Sequence, residues 1–286
     1  MLNGLRSLSR GEAPLDAIEI TADRVPGRKD KAMDGRFLGS VEKTFQVLSA
    51  FNAKRKPLSL TEVVRLSGIE KSAAQRVLYT LRALGYLRQA EATRLYSLSA
   101  RMLEFGASYI ASSRLHEIAG PILEAVNASC EETVNLTERE GEDVVYVLRY
   151  PSRHVVSVDL STGSRLPIFC TAPGRAILAN LPEEEARRIL AASDLRSHTP
   201  NTKTDPDEIL EACARVRTHG YSLSNQEAFI GDISVSAPVF GEDGAVVAAI
   251  NIAVPWPRWS VERVEAELAP VVVGAAQAVS KALGQG

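Results

Sequence analysis

The chain has few of the side chains that bind metals or form disulfide bridges. Three cysteines occur among its 286 residues, at Cys130, Cys170 and Cys213, and only four histidines are present. An odd and widely spaced set of cysteines excludes a disulfide framework and fits a reducing cytoplasm. No two cysteines have the spacing of a zinc knuckle and the histidines are scattered, so we expect no metal site and no cofactor.

Long apolar runs and enzyme motifs are also missing. The chain contains no uncharged run of 18 or more apolar residues, which excludes a membrane-spanning helix. The first 20 residues lack the apolar core of a secretory signal. Motifs of the GxSxG, HExxH and phosphate-loop kinds do not occur. The 45% hydrophobic and 24% charged content is that of a globular chain with one or two domains. We therefore expect a cytoplasmic protein that is not an enzyme.

The net charge of −2 conceals an asymmetry along the chain. Residues 1–112 carry 18 basic and 11 acidic side chains, whereas the remaining residues carry 15 basic and 24 acidic ones. A basic front and an acidic rear suggest one module that binds a polyanion and a second module with another task. A solvated basic face of no special function is the alternative.

The front part has the order of elements of a winged helix-turn-helix. Residues 1–38 show no sustained period and are interpreted as a mobile tail, with a basic patch at residues 28–31. In residues 39–100, a helical stripe comes first and a capping box, Ser59 to Glu62, starts a short second helix that ends at Gly68. A third helix is predicted from Lys71 to Leu84, followed by strands at 86–89 and 95–98. The stripe of the first helix comprises Val41, Phe45, Leu48 and Phe51, and the inner face of the third comprises Ala74, Val77, Leu78, Leu81 and Leu84.

The outer face of the third helix has the chemistry of a DNA-reading surface. It bears cations, amides and hydroxyls and no carboxylate, so it can lie in a major groove about 12 Å wide. Gln75 can pair with adenine, Arg76 with guanine or phosphate, and Arg94 of the wing with the backbone or the minor groove. Any three-helix domain shows a similar periodicity, which is the competing interpretation. The predicted DNA contacts are Lys71, Ser72, Gln75, Arg76, Tyr79, Arg82, Arg88 and Arg94.

A linker helix is predicted in residues 101–113, from Met102 to Ala111. Leu103, Ala107 and Ile110 form one narrow apolar stripe along it. Such a stripe favours contact with a second copy of the chain, and a dimer suits DNA readout because two half-sites increase specificity. Contact with its own domain is the alternative.

Residues 114–286 change to a mixed pattern of helices and strands. Helices are expected near 115–129, 172–180, 182–192, 205–218 and 261–283. Strands are expected at 133–137, 143–149, 155–160, 221–225, 233–240 and 246–254, with a hairpin turn at 242–244. Hairpin-linked strands with flanking helices predict an antiparallel sheet covered by helices, and the whole chain is therefore α+β.

Several motifs in order resemble the IclR family of bacterial transcriptional regulators, over about residues 38–284. They lie at 40–43, 60–63, 67–69, 81–87, 96–98, 163–167, 171–176, 220–221, 236–239 and 246–250. The resemblance implies a winged helix-turn-helix, a linker helix and a GAF-like effector domain. It also implies dimers or dimers of dimers and a small-molecule inducer. Arg175, Ser234 and Ser224 differ from the lysine, cysteine and acidic residue that the family often has there.

The resemblance places an effector cavity around the segment that begins at Cys170. Pro173 and Gly174 open a helix whose free N–H groups would attract a carboxylate. Ser234 and Ser236 share one face of a strand, as do Asn251 and Ala253, and Arg165 or Arg153 could pair with an acid. The effector is open, with small carboxylates and aromatic acids as candidates. The predicted effector residues are Val158, Leu160, Leu166, Ile168, Cys170, Thr171, Gly174, Arg175, Ser224, Ser234, Ser236 and Asn251.

The main prediction is thus a ligand-responsive transcriptional regulator that binds a near-palindromic operator as a dimer or tetramer. One alternative is a small-molecule-binding enzyme with a helical appendage, in which Cys170 before a helix N-terminus acts as a nucleophile. Another is a protein-interaction module whose front domain docks a second protein. The sequence leaves repression, activation, operator and target genes open.

Overall fold

The computed structural model describes residues 36–154 and 160–284, and its front part is a small helical unit with a two-stranded hairpin. Its helices are α1 (Gly39–Lys54), α2 (Leu60–Ser67) and α3 (Lys71–Ala83). Its strands are β1 (Leu87–Gln89) and β2 (Tyr96–Leu98), which pair antiparallel. The predicted order of helix, helix, turn, helix and hairpin is confirmed. The predicted tail falls mostly outside the described residues, including its basic patch at 28–31.

Local signals set the ends of α2. The Ser59 side chain accepts from the Glu62 backbone N–H, and the Glu62 carboxylate accepts from the Ser59 backbone N–H at 2.8 Å, so the predicted capping box is present. Gly68 ends the helix in the left-handed conformation, with φ of 68°. Because α3 begins three residues later, this tight turn fixes the angle at which α3 is presented.

Two details of the front unit differ from the prediction. Leu84 lies beyond the end of α3 and is 53% exposed, so it does not belong to the inner face. Val41 and Phe45 of the α1 stripe are 48% and 61% exposed, whereas Val47 is fully buried. The core of this unit therefore lies under the second half of α1, and the first half leaves an apolar surface in solvent. Its buried members are Val47, Ala50, Phe51, Leu58, Val63, Leu78, Leu81 and Leu87.

The linker helix α4 (Leu103–Ser112) follows a single 3-10 turn at Ala100–Met102. None of its residues is buried. Ser113 then adopts an extended conformation, with φ of −100° and ψ of 115°, and the chain restarts as α5 (Arg114–Cys130). The extended residue makes a corner between α4 and α5.

The rear part is built on a six-stranded antiparallel sheet with the order β5-β4-β3-β8-β7-β6. The strands are β3 (Thr133–Glu140), β4 (Asp143–Tyr150), β5 (Arg165–Pro167), β6 (Ser222–Asn225), β7 (Asp232–Phe240) and β8 (Val246–Pro255). The helices are α6 (Ala172–Leu178), α7 (Glu183–Ala192), α8 (Pro206–His219), α9 (Val261–Arg263) and α10 (Ala269–Leu283). The α+β class and the antiparallel sheet are confirmed.

Alternate residues of each strand face opposite sides of the sheet, and each side packs against a different set of helices. Odd-numbered residues of β7, such as Val235, pack in one cluster with α5 and α10. The opposite face meets α6, α7 and α8, which form a second cluster around Phe169 and Ile209. Even-numbered residues of β7, such as Ser234, face this second layer.

The structure contains an edge strand at Arg165–Pro167 that was not predicted. Of the strand expected at 155–160, Leu160 lies outside any strand, and residues 155–159 lie outside the described residues. The final helix spans 261–283 as predicted, with a π-helical turn at Val264–Leu268 between α9 and α10. Within the described ranges, no helix is long and apolar enough to cross a bilayer.

Candidate functional site

The first candidate site is the outer face of α3. Lys71, Ser72, Gln75, Arg76 and Tyr79 are all exposed, while Ala74 and Leu78 on the opposite side are buried. No carboxylate occurs along α3, since the only acidic neighbour is Glu70 at its N-cap. The helix therefore offers an uninterrupted surface of hydrogen-bond donors and cations to a partner.

The wing is tied to α3 through a residue that the sequence analysis missed. The Arg82 guanidinium donates to the Gln89 side-chain oxygen at 2.9 Å, and the Gln89 amide donates to the Arg94 carbonyl at 3.0 Å. Arg94 itself has a positive φ of 58° at the tip of the hairpin. Gln89 thus fixes the distance between helix and wing, and Arg88 and Arg94 remain exposed beside α3.

Part of the basic cluster near α1 has structural partners. Lys56 lies 3.4 Å from the Glu62 carboxylate. Arg55 donates to the Ser164 hydroxyl at 2.8 Å, which joins the front unit to the rear one. The surface for a polyanion is therefore narrower than the count of basic residues suggested.

The second candidate site is a cavity of about 340 Å³ between the sheet and α6. Its walls are mostly apolar, and its polar groups come from five neighbouring strands, the start of α6 and the segment around His198. Cavities of this size and character hold small organic ligands.

A row of hydrogen bonds crosses the floor of this cavity. The Arg149 guanidinium of β4 donates to the Asn135 side-chain oxygen of β3 at 3.0 Å. The Asn135 amide donates to the Asn251 oxygen of β8 at 3.2 Å, and the Asn251 amide donates to the Ser234 hydroxyl of β7 at 3.0 Å. Because arginine can only donate, it sets the direction of the whole row. We call Arg149, Asn135, Asn251 and Ser234 the polar row.

A β-bulge explains why Arg149 escaped sequence analysis. Tyr146 pairs with Thr137 and Leu148 with Leu136, so Val147 is the extra residue. The bulge brings Tyr146 and Arg149, three residues apart, to the same face, although simple alternation would separate them. The one available signal was an arginine inside an otherwise apolar strand, since a charged residue is rarely buried without a partner.

The structure divides the predicted effector residues into two groups, and Val158 lies outside the described residues. Those that line the cavity are Leu160, Leu166, Thr171, Ser224, Ser234 and Asn251. Those that do not line it are Ile168, Cys170, Gly174, Arg175 and Ser236, all of which are buried elsewhere. Cavity-lining residues that the sequence analysis missed include Asn135, Tyr146, Arg149, His198 and Asp232. The two arginines suggested as partners for an acid bind the protein's own carboxylates, Arg165 that of Asp143 and Arg153 that of Glu131.

The start of α6 offers an anion fewer free N–H groups than we expected. The Thr171 hydroxyl accepts from the Gly174 N–H at 3.2 Å, and Pro173 has no N–H to offer. Ser236 shares its face with Ser234 as predicted, but its hydroxyl donates to the Ile250 carbonyl at 2.8 Å. These groups are therefore engaged in the fold.

Arg175 points away from the cavity into the second core. Its guanidinium forms a buried ion pair with Glu227 and donates to the carbonyls of Phe169 and Leu223, each at 3.2 Å. Lys203 adds a second cation, 3.2 Å from the Glu227 carboxylate. Arg175 thus joins α6 to the segment between β6 and β7.

In the folded chain, Cys170 cannot act as the nucleophile that the enzyme alternative requires. Cys170 is completely buried, and this burial raises its pKa to about 12, so the thiol stays protonated near neutral pH. Across the described residues, no group of three or more histidine, cysteine, aspartate or glutamate side chains could hold a metal.

Asp232 is a cavity residue whose pKa lies well above its ordinary value. Burial raises its pKa to about 7, and the positive charge of Arg149 lowers it only in part. Asp232 lines the cavity and is only partly exposed to solvent. Near neutral pH, Asp232 therefore exchanges between a neutral and a charged form.

The unfolding free energy of the wild type should decline as pH rises, and we expect Asp232→Asn to abolish the part of this decline that Asp232 causes. In the unfolded wild type Asp232 loses its proton near its ordinary pKa of 3.8, whereas the folded protein holds that proton up to about pH 7, so stability declines up to pH 7 and is then constant. The decline attributable to this residue is roughly 2 to 4 kcal/mol. Urea unfolding of both proteins between pH 4 and 8 measures it. Parallel curves would contradict the perturbed pKa.

A cluster at the α4–α5 corner joins the linker to the sheet. The Tyr109 hydroxyl donates to one Glu138 oxygen at 2.5 Å, and His116 Nε2 lies 2.5 Å from the other. His116 is buried, and its second ring nitrogen lies 3.3 Å from the Ile110 carbonyl. Glu138 belongs to β3, the strand that also carries Asn135 of the polar row. One strand therefore touches both the cavity and the linker helix.

Comparison with known proteins assigns both parts of the chain to one family. The sequence profile described as "IclR helix-turn-helix domain" matches residues 40–91. The profile described as "Bacterial transcriptional regulator IclR C-terminal" matches residues 107–281.

Individual relatives agree with this assignment. The chain is 30% identical over 255 residues to the Pca regulon regulatory protein of Pseudomonas putida, covering 88% of this chain and 87% of the relative. It is 31% identical to the p-hydroxybenzoate hydroxylase transcriptional activator of Acinetobacter baylyi, covering 75% and 80%. A crystal structure of an IclR transcriptional regulator from Alicyclobacillus acidocaldarius superposes with a TM-score of 0.77 at 27% identity, covering 87% and 100%.

Proposed function

The chain belongs to the IclR family of bacterial transcriptional regulators, and from this premise we propose that it binds a near-palindromic operator as a dimer or a dimer of dimers. It is a regulator with a helix-turn-helix DNA-binding domain and an effector-binding domain, and not an enzyme. We further propose that a small carboxylic or aromatic acid binds in the cavity and changes the affinity of the protein for operator DNA. We place the protein in the cytoplasm. The exposed, carboxylate-free face of α3 is the observation that carries the proposal.

We propose that α3 lies in the major groove and that the wing follows the DNA backbone. Gln75 and Arg76 at the middle of α3 are the base readers, because amide and guanidinium groups match adenine and guanine edges. Lys71, Ser72 and Tyr79 flank them, with Arg82 positioned by Gln89 and with Arg88 and Arg94 on the hairpin. The proposed domains are 39–100, 101–113 and 114–286, preceded by the tail 1–38.

We expect Arg76→Ala to weaken operator binding by about 1–3 kcal/mol and to relax base preference at one position of each half-site. Binding selection from a randomised DNA library, followed by fluorescence anisotropy at fixed salt, measures both quantities. Arg215→Ala, an exposed arginine on α8, is the matched control and should change neither. An Arg76 variant with unchanged affinity and preference would show that this residue does not read bases.

Salt dependence separates DNA binding from docking of another protein. Phosphate contacts release counterions, so affinity for duplex DNA should fall steeply between 50 and 200 mM salt. A chain that treats duplex DNA and a neutral polymer alike would contradict the proposal.

We propose that a second copy of the chain covers the exposed apolar side chains of α1 and α4. Phe45 is 61% exposed, and Leu103 and Phe105 are 72% and 61% exposed. Regulators of this family form oligomers, and a two-fold operator needs a two-fold protein. Exposed apolar side chains that are concentrated on two helices indicate an interaction surface, whereas single scattered ones would not.

We expect Leu103→Lys to raise the dimer dissociation constant at least tenfold, since a lysine ammonium would have to be buried at the interface. Sedimentation velocity over a range of concentrations measures the constant. Glu104→Lys, at the exposed neighbouring position on α4, is the control and should leave it within about twofold. Equal effects of the two variants would point to charge rather than to the apolar contact.

The proposed effector is tested by thermal shift with a panel of carboxylic acids that includes p-hydroxybenzoate, the compound named in one relative's description. A ligand at one hundred times its dissociation constant adds about 2.7 kcal/mol of stability. A hit must then change operator binding. Stabilisation of the Asn251→Leu variant equal to that of the wild type would place the ligand outside the cavity.

We propose that β3 and α4 form the route from cavity to DNA. Asn135 faces the ligand, and Glu138 on the same strand holds Tyr109 of the linker, so a shift of β3 moves α4. The contact of Arg55 with Ser164 provides a second junction between the two parts. Because coupling is reciprocal, operator DNA must change effector affinity by the same factor.

A further inference from the structure

The cavity already contains a carboxyl group of its own, that of Asp232. We infer that a monocarboxylate enters this cavity together with one proton, which Asp232 takes up, so that the occupied site holds one negative charge rather than two. The inference rests on the proposed function, because it requires that the cavity bind a carboxylic acid. It adds that the effector is recognised as the acid plus a proton, which makes its affinity depend on pH.

The polar row indicates where a ligand carboxylate would lie. Each side chain from Arg149 to Asn251 donates to the next, and Ser234 accepts at the end of the row. The Ser234 hydroxyl therefore keeps its own proton for donation to an acceptor. A carboxylate that accepts this proton lies beside Asp232, which is two residues away on the same face of β7, about 7 Å along the strand.

The remaining charged and titratable groups of the cavity do not balance two carboxylates. Among the described lining residues, Arg149 is the only lysine or arginine. Tyr146 comes from the same strand, and burial raises its pKa, so it donates a hydrogen bond but carries no charge. His198 lies opposite, ahead of α8, and burial lowers its pKa, which favours the neutral ring.

Among the described residues that line the cavity, the other acidic one is already engaged. Glu132 forms an ion pair with Arg258 and accepts from the Trp259 indole N–H at 2.8 Å. Its charge is thus matched within the protein. Asp232 is the carboxyl group that must adjust when a second negative charge arrives.

The ordinary chemistry of neighbouring carboxyl groups then determines the response. Two like charges close together in one partly buried site disfavour each other, so one of the groups retains a proton. Since burial already holds the pKa of Asp232 at about 7, a ligand charge beside it raises that pKa further. Near neutral pH the ligand is ionised, so the carboxylate of Asp232 is the group that takes up a proton when the ligand binds.

Isothermal titration calorimetry of the full chain between pH 6 and 8.5 tests the inference. The probes are benzoate, p-hydroxybenzoate and short aliphatic monocarboxylates, each compared with its neutral amide. For an acid that binds, we expect affinity to fall about tenfold per pH unit above pH 7. Buffers of different ionisation enthalpy should report a proton uptake that rises from about half a proton at pH 7 towards about one at pH 8.5.

Asp232→Asn is the decisive variant, because asparagine resembles the protonated carboxyl group in shape and charge. We expect its affinity for the same acid to be independent of pH and at least tenfold higher than that of the wild type at pH 8.5. Asp207→Asn, whose side chain is exposed at the start of α8, should keep the wild-type slope. A pH slope that survives in Asp232→Asn overturns the inference.

The outcomes separate this inference from the proposed function. If acids bind without proton uptake, or if the amides bind in place of the acids, the inference fails and the cavity remains a ligand site. If neither acids nor amides bind, the proposed acid effector fails. The unfolding curves of the unliganded wild type and Asp232→Asn decide the titration of Asp232 without any ligand, and parallel curves overturn the inference on their own.

Discussion

Gly174→Ala should destroy the fold of the effector domain. A Cβ atom at this position would lie 1.9 Å from the Ile168 carbonyl oxygen and 2.6 Å from its carbon. Both are backbone atoms, so no side-chain rotation can relieve the overlap, and α6 would have to move off the sheet. We expect a loss of more than about 4 kcal/mol, the range of exceptional core lesions, with expression mainly as aggregate.

A matched substitution keeps this prediction specific. Gly274 of α10 has no atom within 4 Å of its own virtual Cβ and is exposed. Gly274→Ala should therefore stabilise the chain, by up to about 1 kcal/mol, because alanine favours helix. Chemical denaturation measures both variants. A Gly174→Ala protein as stable as the wild type would show that α6 does not approach Ile168 this closely.

Glu227→Gln should cost about 3–5 kcal/mol of unfolding free energy. Substitution leaves the buried Arg175 guanidinium without its carboxylate, and an uncompensated buried charge is strongly destabilising. The Lys203 ammonium loses the same partner. Because Arg175 lies outside the cavity, ligand binding by the folded fraction should be unchanged.

The surface pair of Glu211 and Arg215 provides the control. It has a separation of 3.1 Å, but its side chains are 74% and 56% exposed. Glu211→Gln should therefore cost less than about 1 kcal/mol, since water solvates the arginine that is left. Similar losses in the two Glu→Gln variants would mean that burial contributes little to the Glu227 pair.

Sequence reasoning worked wherever the cause is local. The capping box at Ser59, the left-handed Gly68 and the hairpin turn at 242–244 depend on a few neighbouring residues. The polar face of α3 follows from helical period alone, and the structure leaves that face in solvent. The element order of the front unit and most rear elements were predicted for the same reason.

The predictions were wrong where contacts between segments distant in the sequence determine the structure. Leu84 belongs to the helical stripe but lies past the end of α3 in solvent. Arg175 follows the helix start as expected, yet Glu227, 52 positions away, turns it into the core. The edge strand at 165–167 forms only because β4 lies beside it, and its own three residues carry little signal.

By itself, the sequence determined that this chain has a winged helix-turn-helix with a donor-rich helix face and a helix-covered antiparallel sheet, because periodicity and capping act over a few residues. Tertiary structure alone decided which polar groups share the cavity. A single bulged residue, Val147, brings Arg149 to the floor of the cavity, and strand pairing aligns it with Asn135, Asn251 and Ser234. Strand register is a property of pairs of segments, so it cannot be read from either segment alone.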